Sequence, residues 1–461
     1  MHDKVRSGNR REIPAVNTVL DAVAGSDLPR PLVVDIVRRE LQGERRKKKV
    51  SAPGEIVERV RNRIQLLRRS RLQPVINATG IIIHTNLGRA SLAPDVAEAV
   101  SKVAASYANL ELDLNTGSRG SRAAYVEHAL ALLCQADAAT VVNNCAAALV
   151  IIAHHLAAKK SEIVISRGEM VQIGGGFRIA EILEAAGANL REVGATNKTT
   201  IDDYARAITP QTAFILKVHR SNFFMSGFVA LPDPAELARL ARKKRIPFVN
   251  DLGSGAMFDT RKEGLEEDEP TVSLAIKQGA DLVCFSGDKL FGGPQGGVIA
   301  GKKRMIEGLK RSPLFRALRC DKLVLAALQA TVDHHLTEAG SRLPMLSLLR
   351  ITKDELRARA AAMLVRLRGL PLQISVGRGS GNVGGGSLAQ SVIPSVTIDI
   401  IPEHIPVQDF AAKLRNFSPP IIAYIGKGSV KLDLRTIFPY QDDVVVDAIR
   451  FASTETDVFS T

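Results

Sequence analysis

The segment Leu282-Val283-Cys284-Phe285-Ser286-Gly287-Asp288-Lys289-Leu290-Phe291-Gly292-Gly293-Pro294-Gln295-Gly296-Gly297 decides how the rest of the chain is read. Four apolar residues in a row, bounded by polar ones, fit a strand buried on both faces. A lysine follows, and then a glycine-rich turn of the kind that lets backbones pack closely. Ligands of open α/β sheets bind beyond the strand C-termini, so Lys289 belongs at a site mouth. There a lysine can form a Schiff base and later carry a proton. Taken alone, a lysine at a strand end is more often a surface lysine, so its surroundings decide.

Similar short apolar runs recur on either side of it, between Ala/Leu-rich helical stretches: Ala139–Val142, Glu162–Ile165, Ala213–Val218, Pro247–Asp251 and Gly297–Ala300. Apolar strands separated by helices predict an α/β fold with a mainly parallel sheet covered on both faces. A long helical region from Asp321 to about Leu370 leads to a Gly/Ser-rich stretch, Gly377 to Gly386, and to strands over Ser395–Ile400 and Val430–Leu434. This reads as a small C-terminal α/β domain. The predicted division is a helical module over 1–72, a large domain over 73–325 and a small domain over 326–461.

With 461 residues, 45% of them apolar, the chain can bury its own core. Aromatic residues make up 4% and tryptophan is absent, which argues against a surface that stacks single-stranded bases. Cys134, Cys145, Cys284 and Cys320 are far apart and show neither zinc-ligand spacing nor a disulfide framework, so no metal is expected and a reducing compartment fits. The charged start of the chain lacks the apolar run of a signal peptide, and no membrane-length apolar stretch occurs. A cytoplasmic protein with no membrane partner is predicted.

Of the formal charge of +14, a surplus of nine lies within residues 1–71, where 18 Lys/Arg face 9 Asp/Glu. The densest run is Arg45-Arg46-Lys47-Lys48-Lys49, followed by arginines at 59, 61, 63, 68, 69 and 71. Ile56, Val60, Ile64 and Leu67 recur at helical spacing between those arginines, giving one apolar and one cationic face. Charge alone allows a solvated face or a polyanion contact.

Around Lys289 the other strand ends carry matching chemistry. Asp251 closes a strand 38 residues earlier, where a carboxylate can pair with the pyridine nitrogen of pyridoxal phosphate. Asn143-Asn144-Cys145-Ala146 runs from strand to helix, and the amides of that helix start can receive the cofactor phosphate. His219, Ser221 and Asn222 follow a third strand, where a polar side chain can meet the phenolic oxygen, and Ser286 lies beside the lysine. Singly these are ordinary cap and turn residues. Together, in this order, they favour a pyridoxal-phosphate site. The strings Gly174-Gly175-Gly176 and Gly384-Gly385-Gly386 lack the strand-GxGxxG-helix setting of a dinucleotide loop. His154-His155 and His334-His335 sit in apolar helical settings and read as structural.

Ile76-Asn77-Ala78-Thr79-Gly80, His84-Thr85-Asn86-Leu87-Gly88-Arg89-Ala90, Ser166-Arg167-Gly168-Glu169-Met170, Val193-Gly194-Ala195-Thr196-Asn197, Lys217-Val218-His219, Asp251-Leu252-Gly253-Ser254-Gly255, Ser286-Gly287-Asp288-Lys289 and Arg316-Ala317-Leu318-Arg319, in this order, resemble bacterial selenocysteine synthases, the L-seryl-tRNA(Sec) selenium transferases. The resemblance runs from the basic module to Leu432-Asp433-Leu434-Arg435. It implies an aspartate-aminotransferase-like large domain (fold type I) with pyridoxal 5'-phosphate covalently on Lys289. It also implies a basic module that grips the tRNA, and a homo-oligomeric ring of dimers, a decamer, with sites at subunit interfaces. The implied reaction converts seryl-tRNA(Sec) to selenocysteinyl-tRNA(Sec) through an aminoacrylyl intermediate, with selenophosphate as donor.

A compact polyanion calls for arginine forks, and Arg89, Arg119, Arg122, Arg316 and Arg319 are the candidates. Arg316 and Arg319 share a face if their segment is helical, though a solvated face has the same spacing. His84 and Asp288 are candidates for proton transfer to the departing hydroxyl. Two other readings compete: a pyridoxal-phosphate lyase or transferase acting on a free small amino acid or amino sugar, and a catalytically silent RNA-binding protein. The basic module speaks against the first of these; no DNA partner is expected.

Overall fold

The computed structural model describes residues 13–47, 49–172, 176–221, 223–337 and 342–454. The chain divides into two compact units, 1–74 and 75–461.

In the first unit, helices α1 (Val16–Ala22), α2 (Arg30–Arg46) and α3 (Pro53–Arg69) enclose a small core. Val33, Val37 and Leu41 of α2 and Ile56, Val60 and Ile64 of α3 recur every fourth residue and are buried together with Val19 and Val23. Each contributes about 1.5–3 kcal/mol of apolar burial. Leu67, predicted on the same face, is exposed, because the core ends one turn earlier. Part of the basic surplus is neutralised internally. Glu40 and Glu44 are buried; Glu40 accepts Arg59 at 2.7 Å and Arg63 at 3.1 Å, and Glu44 pairs with Arg59 and Lys47. Arg38, Arg45, Arg46, Lys49 and Arg69 have no carboxylate partner among the described residues. Lys48 of the basic run lies outside them.

The second unit begins with β1 (Ile76–Asn77) and β2 (Ile81–Ile83), then α4 (Pro94–Ala104) and α5 (Ala124–Cys134). Its large sheet contains β3 (Ala138–Val142), β4 (Glu162–Ser166), β5 (Asn189–Val193), β6 (Thr212–Val218), β7 (Phe248–Gly253), β8 (Leu282–Ser286) and β9 (Gly297–Gly301), with α6 (Cys145–Leu156) following β3. The strand order is β3-β9-β8-β7-β6-β4-β5, and only β9 runs against its neighbours. Alternate residues feed two cores. Val283 and Phe285 of β8 join one, Leu282 and Cys284 the other, so the four positions before Ser286 are all apolar. The edge strand β5, Asn-Leu-Arg-Glu-Val, differs: its exposed polar positions hide it from a search for apolar runs.

The remaining strands are β10 (Leu372–Gly384), β11 (Ser387–Pro402), β12 (Ile421–Ile422), β13 (Tyr424–Gly426) and β14 (Ser429–Asp433). They form a five-stranded sheet, β13-β14-β11-β10-β2, and a two-stranded pair, β1-β12. Residues 76–83 therefore hydrogen-bond into C-terminal strands, although the sequence groups them with the large domain. The Gly/Ser-rich stretch 377–386 is the end of β10 and its turn into β11. A Cβ on Gly379 would lie 2.6 Å from Asp433 Oδ2, and one on Gly381 2.9 Å from Arg435 Cδ. The glycines thus make room for a buried arginine whose guanidinium donates to the carbonyls of Leu348, Leu349, Ile351 and Pro394 at 2.7–3.2 Å.

Candidate active site

Four parallel strands of the large sheet end at a cleft of about 870 Å³. β8 leads to Ser286 and Lys289, β7 to Asp251 and Gly253, and β6 to His219 and Ser221; beyond β3, the start of α6 supplies Asn144, Cys145 and Ala146. The structure brings all these predicted residues together, and Asn222 lies outside the described residues.

Asp251 is buried, and its Oδ1 accepts the Gly253 amide at 3.0 Å and the Cys145 thiol at 3.6 Å. Burial pushes its carboxyl above the usual range, while the Lys289 ammonium and the thiol and amide donors pull the other way. A carboxylate so penalised gains most from a cation placed against it. Cys284, opposite Asp251 on the neighbouring strand, completes a trio with Cys145 whose ligand atoms lie within 4.8 Å of one another. Sequence distance conceals this meeting. Its hydrogen bond with Cys145, and burial, hold the Cys284 thiol well above its usual range, so it remains protonated.

At the start of α6 the Asn144 side chain caps the helix by accepting the Ala147 amide at 2.8 Å. This leaves the Cys145 and Ala146 amides without a partner among the described residues, aimed where the helix dipole favours an anion. The turn is locked from behind, because a Cβ on Gly297 would lie 2.0 Å from the Asn144 carbonyl oxygen. On the opposite wall Gly253 has φ +67°, and a Cβ there would lie 3.8 Å from Lys289 Nζ. An amine, a buried acid and a free helix start around one cleft fit an aromatic aldehyde bearing a phosphate and a ring nitrogen.

The predicted arginines separate. Arg89 lines the cleft, and its Nη1 meets both oxygens of Asp288 at 2.8 and 3.0 Å; Asp288 also accepts the Ser286 hydroxyl at 2.8 Å. Arg119, Arg122 and Arg319 converge on Glu111 at 2.7, 2.8 and 3.4 Å. With Arg316, Arg122 and Arg319 line a separate cavity of about 240 Å³. Arg316 belongs to the helix Pro313–Ala317, but Arg319 lies beyond it and bridges Val142. The two arginines therefore share a cavity without sharing a helix face. His84 does not line the cleft, although its neighbour Thr85 does. Its Nδ1 accepts the Asn86 amide at 3.2 Å, and burial lowers its pKa.

Sequence reasoning missed Gln295, Gly385 and Gly386 in the lining. The signal was the triple glycine: Gly384, Gly385 and Gly386 all have positive φ, and the turn they form brings the small sheet to the cleft. The pair His334-His335 makes structural contacts, with His334 on Asp95 at 2.9 Å and His335 on the Phe291 carbonyl at 2.8 Å.

Sheet order and strand-end site define a class, the pyridoxal-phosphate enzymes of fold type I. A solved D-glucosaminate-6-phosphate ammonia-lyase shares this fold with a TM-score of 0.57 and 22% identity, over 84% of this chain and 97% of that one. The L-seryl-tRNA selenium transferase family model matches residues 75–438. Curated relatives named L-seryl-tRNA(Sec) selenium transferase are 41% identical in Carboxydothermus hydrogenoformans (94% of this chain, 95% of the relative) and 40% identical in Geobacter sulfurreducens (95% and 98%). The Aquifex aeolicus relative is 40% identical over 93% of this chain and 95% of its own length. The chain belongs to the L-seryl-tRNA(Sec) selenium transferase family. These relatives do not favour the alternative of an enzyme for free amino acids or amino sugars.

Proposed function

We propose that this chain converts L-seryl-tRNA(Sec) to L-selenocysteinyl-tRNA(Sec) with selenophosphate as donor and pyridoxal phosphate held covalently by Lys289. The observation that carries the reading is the convergence of Lys289, the buried Asp251 and the free amides of α6 on one cleft, in a chain with transferase relatives over nearly its whole length.

Lys289 Nζ would bond the cofactor's aldehyde carbon, Asp251 would pair with the ring nitrogen, and the Cys145 and Ala146 amides would take the phosphate. His219 would meet the phenolic oxygen. When bound, the cofactor supplies an electron sink that makes the seryl α-carbon acidic. The Lys289 amine would take the proton from the seryl α-carbon. His84, next to the cleft-lining Thr85, and Asp288 are the proposed proton partners of the departing β-hydroxyl. Asp288 holds Arg89 at the cleft, where its guanidinium would meet selenophosphate. Arg119, Arg122, Arg316 and Arg319 would complete the anion site. In a ring of dimers with sites at subunit interfaces, an arginine group outside its own cleft can serve the adjoining one.

The N-terminal module would grip the tRNA. Its support is the set Arg38, Arg45, Arg46, Lys49 and Arg69, which have no carboxylate partner among the described residues and suit phosphate contacts. The large and small domains, 73–325 and 326–461, would enclose the chemistry between them. Among the described residues no helix is long and apolar enough to cross a membrane, and the proposed setting is the cytoplasm.

The test is to incubate cofactor-loaded protein with seryl-tRNA(Sec) and selenophosphate and to identify the amino acid on the tRNA. Selenocysteine is the expected product. Unchanged serine, or turnover of free serine instead, would reject the transferase reading.

A further inference from the structure

Glu269 is 3% exposed, and its Oε1 has no hydrogen-bond partner among the described residues. A buried carboxylate with an unsatisfied oxygen is costly and calls for a compensating role. Its other oxygen, Oε2, lies 3.2 Å from His219 Nε2. His219 lines two cavities, the main cleft and a smaller one of about 240 Å³ that Glu269 also lines. The imidazole is thus a partition, with the acid behind it and the cofactor cleft in front.

Both partners are anchored through their backbones. The His219 amide donates to the Asp251 carbonyl at 2.8 Å, which fixes the histidine to the strand bearing the acid of the site. The Glu269 amide donates to Thr260 Oγ1 at 3.0 Å, and the Thr260 hydroxyl donates to the Glu267 carbonyl at 2.8 Å. The Glu267 carboxylate accepts the Gln390 and Ser391 amides, each at 3.0 Å, which ties this loop to β11. With both main chains held, the ring's remaining freedom is rotation about its own side-chain bonds. A carboxylate on one ring nitrogen removes that freedom and sets which nitrogen carries the proton.

We infer that Glu269 is a positioning residue for the cofactor: it holds His219 by Nε2–H and thereby presents Nδ1 to the cleft, where Nδ1 and the cofactor's phenolic oxygen share a proton. Nδ1 has no partner among the described residues. The inference rests on the pyridoxal-phosphate reading of the cleft and adds to it a residue outside the cleft lining.

The experiment compares the binding of pyridoxal 5'-phosphate with that of its 3-deoxy analogue, which lacks the phenolic oxygen, to the full-length protein stripped of cofactor. Glu269→Gln keeps the shape and removes the charge. It should weaken pyridoxal phosphate about tenfold, the worth of one charge-assisted hydrogen bond, and leave the analogue's affinity unchanged. In a His219→Phe background the same substitution should have no further effect. Glu269→Asp, which withdraws the carboxylate by one methylene, should give the same pattern and serves if the glutamine variant does not fold. Equal weakening of both ligands, or an undiminished effect without the histidine, overturns the positioning role. Wild-type protein that binds neither ligand removes the cofactor reading, and this inference with it.

Discussion

One guanidinium nitrogen of Arg89 spans both carboxylate oxygens of Asp288, at 2.8 and 3.0 Å, immediately before Lys289 in the chain. Asp288 is 5% exposed, so among the described residues Arg89→Ala would leave this buried carboxylate with only the Ser286 hydroxyl. A fully buried pair would cost more, but Arg89 is partly exposed; a loss of about 2 kcal/mol is expected. Adding Asp288→Asn should recover part of it, because the unpaired charge disappears. Denaturant unfolding of both variants measures this, and additive losses would show that the two residues act separately.

Asp251 yields a prediction with a definite sign. Burial raises its carboxyl above the ordinary range, so the native state binds that proton more tightly than the unfolded chain. Its contribution to stability then falls as pH rises through the unfolded and native pKa values, and stays low above them. Asp251→Asn should therefore raise the melting temperature of cofactor-free protein at neutral pH, by an amount that shrinks on acidification. The same variant should lose affinity for pyridoxal phosphate. A variant less stable at neutral pH would contradict the account of the buried acid.

Gly297→Ala should be among the most damaging single-methyl changes. The added carbon would meet the Asn144 carbonyl oxygen at 2.0 Å and the Cys145 nitrogen at 2.9 Å. Overpacking of this kind costs about 1–3 kcal/mol and shifts backbone, and the backbone displaced here is the proposed phosphate cradle. Weaker cofactor binding at unchanged Lys289 reactivity toward a small aldehyde is the expected result.

For the basic module, removing residues 1–72 should abolish seryl-tRNA binding while cofactor uptake survives. Replacing Arg45, Arg46 and Lys49 by alanine should weaken binding and flatten the slope of log affinity against log salt by about 2 to 3. An unchanged slope would place the tRNA contact elsewhere.

The central strands were legible because the sheet is buried on both faces, so β6 and β8 carry apolar runs, Ala213–Leu216 and Leu282–Phe285, and β7 opens on Phe248-Val249 before the polar Asn250-Asp251. Lys289, Asp251, His219 and Asn144 were legible for a related reason: each stands at or just beyond a strand's C-terminus, and chain order fixed that position. Contacts between strands were not. The Cys145–Asp251–Cys284 trio and the Glu269–His219 pair join residues 33 or more apart in the sequence or on neighbouring strands, and nothing local announces them. β10 was hidden by its glycines, whose missing side chains are explained by Asp433 and Arg435, more than fifty residues later. The arginines were identifiable by type, but only the fold assigns Arg89 to Asp288 and Arg119, Arg122 and Arg319 to Glu111.

The most direct test of the account is to load the protein with pyridoxal phosphate, reduce it with borohydride and map the modified peptide by mass spectrometry. A single phosphopyridoxyl group on Lys289, absent from Lys289→Ala, is the predicted result. Labelling of another lysine, or none in protein that binds the cofactor, would contradict it.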